Sequence, residues 1–161
     1  MASIFFLLIY LLGGGGERHV RIEKINHLER LLQNKSDTTF VINFWATWCK
    51  PCVEELPVFD SVLRYYPTEK VSLILVSLDF KSQYSTRLIP FINKNNPLPE
   101  VFLLDEPDYN TWIEKVDKSW SGAIPATLIF NGQTGRRYFF EKTLNQQEIK
   151  TTIELVKKTS P

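Results

Sequence analysis

The sequence has few of the residues from which metal and nucleic-acid sites are built. Its 161 residues include two cysteines and two histidines, His19 and His27. A structural zinc site takes four ligands, and these histidines are not spaced as a ligand pair, so no metal is expected. The 19 basic and 18 acidic side chains leave a formal net charge of +1. This balance gives no electrostatic basis for binding nucleic acid, so no nucleic-acid partner is expected.

Long apolar segments are also lacking. Residues 4–12 (IFFLLIYLL) form a short apolar run that four glycines follow at 13–16. A membrane-spanning helix needs about 20 apolar residues, whereas this length suits the central region of a signal peptide. However, no Lys or Arg precedes the run, and no clear Ala-x-Ala cleavage site follows it. We expect residues 1–16 to be a signal or anchor segment and the protein to lie in the periplasm or cell envelope, exported or membrane-tethered. The alternatives are a cytoplasmic protein, a buried element of the domain, and the remnant of a longer leader.

The remaining chain alternates strand and helix patterns, and its length fits one domain. Residues 38–45 and 71–78 are rich in β-branched and other apolar residues, which is typical of central strands buried on both faces. Residues 50–65 carry apolar side chains at helical spacing. The other predicted elements are a strand at 20–25, a short helix capped by Asn26, helices at 86–93 and 109–116, a strand at 101–104, a hairpin of 126–130 and 137–140, and a closing helix at 146–158. This order predicts an α/β fold with a mixed central sheet flanked by helices.

Cys49 and Cys52 lie three residues apart, where a predicted strand gives way to a predicted helix. A close pair of this kind can be half of a metal site, a structural disulfide or a redox-active dithiol. The free N–H groups and positive dipole end of the helix would stabilise a Cys49 thiolate, and Lys50 adds a positive charge. Pro51 suits an early helical position because its missing N–H is no loss there. We therefore predict that Cys49 attacks a substrate disulfide and that the more buried Cys52 resolves the mixed disulfide.

Residues 43–52 (NFWATWCKPC) and 54–57 (EELP) resemble the thioredoxin superfamily, and more narrowly its TlpA/ResA/DsbE-like branch of envelope thiol–disulfide oxidoreductases. A second mark of that superfamily, a cis-proline loop facing the disulfide, is matched by residues 123–127 (AIPAT). The resemblance implies that residues 17–161 form a thioredoxin fold with an extra helix–strand insertion before the cis-proline loop. It also implies an enzyme without a cofactor that acts as a reductase on protein disulfides. Its electron donor would be a membrane protein or a thioredoxin-type protein.

The resemblance assigns roles to single residues. Asn43 stands where cytosolic thioredoxins carry a buried, proton-accepting Asp. Glu55 matches a glutamate proposed to do acid–base work in ResA-like proteins, and burial near the thiols would raise its pKa. A solvated helix residue is the alternative for Glu55. The backbone at Ile124 would pair with an extended substrate segment. The residues expected to support or bind substrate are Trp48, Lys50, Pro51, Ile124 and Pro125.

Two other functions stay open at this stage. One is a thioredoxin-like thiol peroxidase, although the cysteine pair lacks the usual Thr-x-x-Cys context. The other is a binding module of the same fold in which the disulfide is structural. A reductant, an oxidant and an isomerase share this constellation, so the motif alone does not fix the direction of electron flow.

Overall fold

The computed structural model describes residues 20–67 and 70–158. Its strands are β1 (Arg21–Glu23), β2 (Thr39–Trp45), β3 (Val71–Ser77), β4 (Glu100–Leu104), β5 (Ala126–Asn131) and β6 (Arg137–Phe140). They form one sheet in the order β1-β4-β3-β2-β5-β6. The first four of these strands in spatial order are parallel, whereas β5 and β6 pair antiparallel to their neighbours. The sheet is therefore mixed, as predicted.

Helices cover both faces of this sheet. The α-helices are α1 (Ile25–Leu32), α2 (Lys50–Tyr65), α3 (Ile89–Asn95), α4 (Ile113–Val116) and α5 (Gln146–Lys157). A 3-10 turn at Lys81–Gln83 and a π-helical turn at Tyr84–Leu88 lead into α3. Another 3-10 turn at Tyr109–Thr111, capped by Asp108, precedes α4.

Strand β2 lies near the middle of the sheet, and all of its residues are buried. Successive side chains of a strand point to opposite faces, so β2 contributes to two apolar layers. Val41 and Trp45 join the layer formed with α2 and α5. Ile42 and Phe44 join the layer formed with α1 and α4. The cysteine pair belongs to the first of these layers.

The predicted fold class is confirmed. The helical segment at 81–95 and strand β4 lie between β3 and residues 123–127, where the extra helix–strand insertion was predicted.

Four local predictions need correction. The helix predicted at 109–116 is divided into a 3-10 turn at Tyr109–Thr111 and the short α4, because the chain departs from helical geometry at Trp112. Asn26 does not cap α1, because the helix begins at Ile25 after an N-cap at Lys24 that makes no side-chain cap hydrogen bond. Because that helix starts early, the strand predicted at 20–25 is shorter in the structure and spans only β1, Arg21–Glu23. The helical segment predicted at 86–93 starts earlier, at Lys81. The prediction began too late because the first turns carry no repeating apolar face.

Within residues 20–67 and 70–158, no helix has the length and apolar character to cross a bilayer. The apolar run at 4–12 and the domain boundary predicted after residue 16 lie outside the described residues. The expectation of a signal or anchor segment therefore stays a prediction.

Candidate active site

Cys49 and Cys52 form a disulfide at the beginning of α2. Cys49 is the N-cap of the helix, and its Sγ accepts a hydrogen bond from the Cys52 backbone N–H at 3.3 Å. The Cys49 N–H donates to the Ala46 carbonyl oxygen at 3.1 Å, which closes the turn between β2 and α2. Both cysteines are buried, Cys52 completely. When the bond is reduced, the helix terminus stabilises a thiolate at Cys49 rather than at Cys52.

The side chains that flank the cysteines face solvent. Trp48 is 50% exposed, so its ring is available for contact with another molecule. Pro51 lies in the first turn of α2 and is also exposed. The Lys50 side chain is 87% exposed, and its Nζ lies 3.8 Å from Oε1 of Glu54. Because solvent and Glu54 screen this ammonium group, it contributes little to stabilising a Cys49 thiolate.

The loop before β5 brings Ile124 and Pro125 against the disulfide. The Ile124–Pro125 peptide bond is cis. The Cys49 Sγ lies 3.8 Å from the Ile124 carbonyl oxygen. The loop is fixed from behind by Trp120, whose Nε1 donates to the Ala123 carbonyl oxygen at 2.8 Å. The two loop residues therefore lie where the resemblance placed them, and their role in binding substrate stays a prediction.

Glu55 lies one helical turn after Cys52 and is only 4% exposed. Its Oε1 accepts a hydrogen bond from the Leu144 backbone N–H at 2.5 Å, whereas its Oε2 is buried without a hydrogen-bond partner. Burial raises the pKa of Glu55 from 4.5 to about 7, against the opposing effects of the Leu144 N–H and the Asn43 side chain. Glu55 is therefore not a solvated helix residue. Its carboxyl can hold or release a proton near neutral pH.

Asn43 ties β2 to β5 on the buried side of the site. Its Nδ2 donates to Oγ1 of Thr127 at 3.0 Å and, more weakly, to the Ala126 carbonyl oxygen at 3.4 Å. An amide cannot take up a proton at physiological pH. Asn43 therefore cannot exchange a proton with a thiol, and Glu55 is a titratable side chain next to it.

Asp79 is a buried residue that the sequence interpretation missed. Its carboxylate accepts hydrogen bonds from the Thr47 N–H at 3.1 Å and the Thr47 hydroxyl at 2.5 Å. It also accepts one from the Ser77 hydroxyl at 2.8 Å. Asp79 thus holds the loop that leads into Trp48 and Cys49. The available signal was an acidic residue directly after a predicted central strand, whose end lies beside the end of β2 because the two strands are parallel.

The chain resembles known proteins over much of its length. A model of the AhpC/TSA family matches residues 25–135. The chain is 34% identical to sporulation thiol-disulfide oxidoreductase A of Bacillus subtilis (strain 168), over 46% of this chain and 44% of that protein. It is 32% identical to thiol-disulfide oxidoreductase ResA of Bacillus thuringiensis (strain Al Hakam), over 40% of this chain and 47% of that protein. The chain therefore spans about half the length of the curated relatives it matches.

Solved structures share the fold. A thioredoxin-related protein from Neisseria meningitidis serogroup B aligns with a TM-score of 0.66 and 18% identity, over 78% of this chain and 89% of that one. StoA from Bacillus subtilis aligns with a TM-score of 0.56 and 22% identity, over 72% of this chain and 82% of that one. These likenesses show a thioredoxin fold, as the sequence predicted. Since the family model covers more than half of the sequence, the chain belongs to the AhpC/TSA family of thioredoxin-like proteins.

Proposed function

We propose that this protein is a thiol–disulfide oxidoreductase that acts on protein disulfides and works as a reductase. The observation that carries the proposal is the Cys49–Cys52 disulfide at the N-terminus of α2, with the Cys49 sulfur beside the Ile124 carbonyl. The names of the curated relatives support it, since both are called thiol-disulfide oxidoreductases.

The reaction starts from the reduced pair. The Cys49 thiolate attacks one sulfur of a substrate disulfide, forms a mixed disulfide and releases the first substrate thiolate. Cys52 then loses its proton and attacks the Cys49 sulfur, which releases the second substrate thiolate. The substrate gains two electrons, and the protein is left with the Cys49–Cys52 disulfide. A thiol donor must return two electrons to this disulfide, and we propose a membrane or thioredoxin-type protein for that step.

Glu55 supplies the proton transfer that the resolving step needs. It lies three residues after Cys52 on α2, and residues at this spacing share one face of a helix. With a pKa of about 7, its carboxylate can accept the Cys52 proton at neutral pH. Replacement by Gln keeps the size of the side chain but removes the titration. The pH–rate profile of the Glu55→Gln variant should therefore lose its step near pH 7, and an unchanged profile refutes this role.

The surroundings of the pair favour the reducing direction. A strongly stabilised thiolate makes the disulfide form oxidising. Here the Lys50 charge is screened, and an ionised Glu55 would disfavour a second negative charge nearby. The reduced pair is therefore only modestly stabilised. We expect a reduction potential nearer to about −270 mV than to about −120 mV, values typical of reducing and oxidising members of this fold.

Two measurements on the purified protein test the proposal. Equilibration with thiol–disulfide buffers, followed by alkylation of free thiols, gives the potential of the pair. Insulin disulfide reduction by the reduced protein gives the activity, which Cys49→Ala should abolish and Cys52→Ala should halt at a mixed disulfide. A potential near about −120 mV refutes the reductase direction. Undiminished activity in Cys49→Ala refutes the function, and consumption of hydrogen peroxide in preference to insulin would support the peroxidase alternative.

We propose a location in the periplasm or cell envelope. The short apolar run at 4–12 supports it, because its length suits the core of an export signal. The full chain, tagged at its C-terminus and expressed in a Gram-negative host, should be digested by protease added to spheroplasts. Protection of the tag until the cells are lysed would refute the location.

A further inference from the structure

Three aromatic side chains stand exposed at the end of the sheet that carries the disulfide. Trp48 is 50% exposed, Phe80 59% and Tyr109 38%. They follow β2, β3 and β4, which are parallel neighbours whose ends lie within one residue of each other in register. Contiguous exposed apolar surface at one place marks a binding surface more often than scattered apolar residues do.

A cavity of about 70 Å³ opens between Phe80 and Tyr109. Two buried residues of the same lining, Leu78 and Leu104, give it an apolar floor. Clefts that hold drug-sized ligands are usually about 300 Å³ or larger. The volume of this cavity therefore suits one side chain of a polypeptide rather than a small-molecule substrate.

The charged groups around the cavity favour an uncharged occupant. Asp105 pairs with Lys81 at 2.9 Å and with Lys24 at 3.1 Å, so the negative charge of Asp105 is compensated. The Asp79 carboxylate is occupied by its hydrogen bonds to Thr47 and Ser77. Glu106 adds an acidic group to the lining, which disfavours an acidic side chain. An apolar or aromatic side chain fits this lining best.

The cavity is also linked to the disulfide. Asp79 lines it and, through its hydrogen bonds to Thr47, holds the loop that precedes Trp48 and Cys49. Neighbouring strands lie about 4.8 Å apart, so a cavity between the ends of β3 and β4 is about 7–10 Å from the end of β2. Cys49 lies close to the end of β2, because its N–H donates to the carbonyl oxygen of Ala46 at 3.1 Å. An extended chain therefore runs from the disulfide to the cavity in about two or three residues, at about 3.3 Å each.

We infer that Phe80 and Tyr109 form a specificity pocket for the polypeptide substrate, which accepts an apolar or aromatic side chain two or three residues from the reacting substrate cysteine. This inference rests on the proposed function, because the pocket acts on a polypeptide whose disulfide reacts with Cys49. We call the site the Phe80 pocket, defined by Leu78, Phe80, Leu104 and Tyr109.

The probes are disulfide-linked dimers of a short peptide with one central cysteine. One peptide carries Phe three residues before the cysteine, a second carries it three residues after, and a third carries Ser at both places. For the wild-type protein, one Phe peptide should be reduced with a kcat/KM about tenfold above that of the Ser peptide, as expected for partial burial of one aromatic ring. Equal values for all three peptides refute the pocket.

The variant Phe80→Ala/Tyr109→Ala should bring the ratio of Phe peptide to Ser peptide close to one. Tyr138→Ala is the matched control, because Tyr138 is 41% exposed on the edge strand β6, away from the pocket. Its ratio should equal that of the wild type. A double variant that keeps the preference refutes the pocket, and so does one whose kcat/KM falls equally for the Phe peptide and the Ser peptide. Reduction of no peptide by the wild-type protein refutes the proposed function instead, so the two failures are distinguishable.

Discussion

Replacing Glu55 by Gln should remove a pH dependence of stability that the buried carboxyl imposes on the protein. The pKa of Glu55 is about 7 in the folded protein, against an ordinary value of 4.5. Between these two values the unfolded chain has lost the proton while the folded chain keeps it. Stability rises with pH only where the unfolded state binds more protons, so here the free energy of unfolding falls from about pH 4.5 to about pH 7.

The size of this effect follows from the same two values. The interval between 4.5 and about 7 corresponds to about 3 kcal/mol, at about 1.4 kcal/mol per pKa unit. This figure is an upper bound, because a groove of about 360 Å³ lies beside Glu55 and brings solvent close to the carboxyl. We therefore expect a loss of about 2–3 kcal/mol across this window in the wild type. Glu55→Gln should not show this loss.

Urea unfolding of the oxidised protein from about pH 4.5 to about pH 8 measures the effect. Oxidation removes the titration of Cys49 and Cys52, and every other titrating group is common to both proteins. The amide of Gln introduces donors whose cost does not vary with pH, so the test is the pH dependence of the difference between the two proteins. Glu54→Gln is the matched control on the exposed side of α2, and it should follow the wild type. Identical pH profiles for Glu55→Gln and wild type would refute the reasoning.

Other variants test the surroundings of the site. Asp79→Ala removes the acceptor of the Thr47 N–H and hydroxyl, so urea unfolding should show a loss of about 1–3 kcal/mol and insulin reduction should slow; wild-type stability and rate would contradict this. Trp112→Ala should cost about 3–5 kcal/mol in thermal unfolding, because the ring is fully buried. Trp112 lies in the layer opposite the disulfide, so a changed reduction potential would count against that placement. At Gly132 an added Cβ would lie 2.5 Å from the Ser36 carbonyl oxygen, whereas at Gly135 it would meet open space. Gly132→Ala should therefore destabilise the protein more than Gly135→Ala, which bears only the strain of its positive φ, and the reverse order would refute the packing argument.

The sequence predicted best those elements that are set by local pattern. The predicted helix 50–65 coincides with α2, and β2 differs from its prediction by one residue. These segments carry strong apolar patterns and clear boundary residues. The short helical turns between β3 and α3 have no such pattern, and their start was predicted five residues late. For the same reason the 3-10 turn before α4 was predicted as part of one helix.

Contacts between residues that are far apart in the sequence could not be predicted from the sequence alone. Glu55 was singled out through the resemblance, yet its hydrogen-bond donor, the Leu144 N–H, is 89 residues away. Asp79 and Thr47 are 32 residues apart and meet only because β2 and β3 are parallel and in register. A single sequence gives residue types and local periodicity, whereas these contacts depend on how the strands and loops pack. The position of the cysteine pair at the start of α2 was therefore predictable, but the hydrogen bonds around it were not.

Glu55 and Asp79 show how hydrogen bonding separates the roles of two buried carboxyls. Asp79 accepts hydrogen bonds from the N–H and hydroxyl of Thr47 and the hydroxyl of Ser77, and these donors fix a loop. Glu55 receives one backbone N–H, from Leu144, and its second oxygen is buried without a partner. A buried carboxylate with so few donors is stabilised by taking up a proton. The shortage of donors at Glu55, together with its place one turn after Cys52, supports the proposed role in proton exchange. A variant that supplied a further donor to its free oxygen should lower its pKa and slow the resolving step at neutral pH.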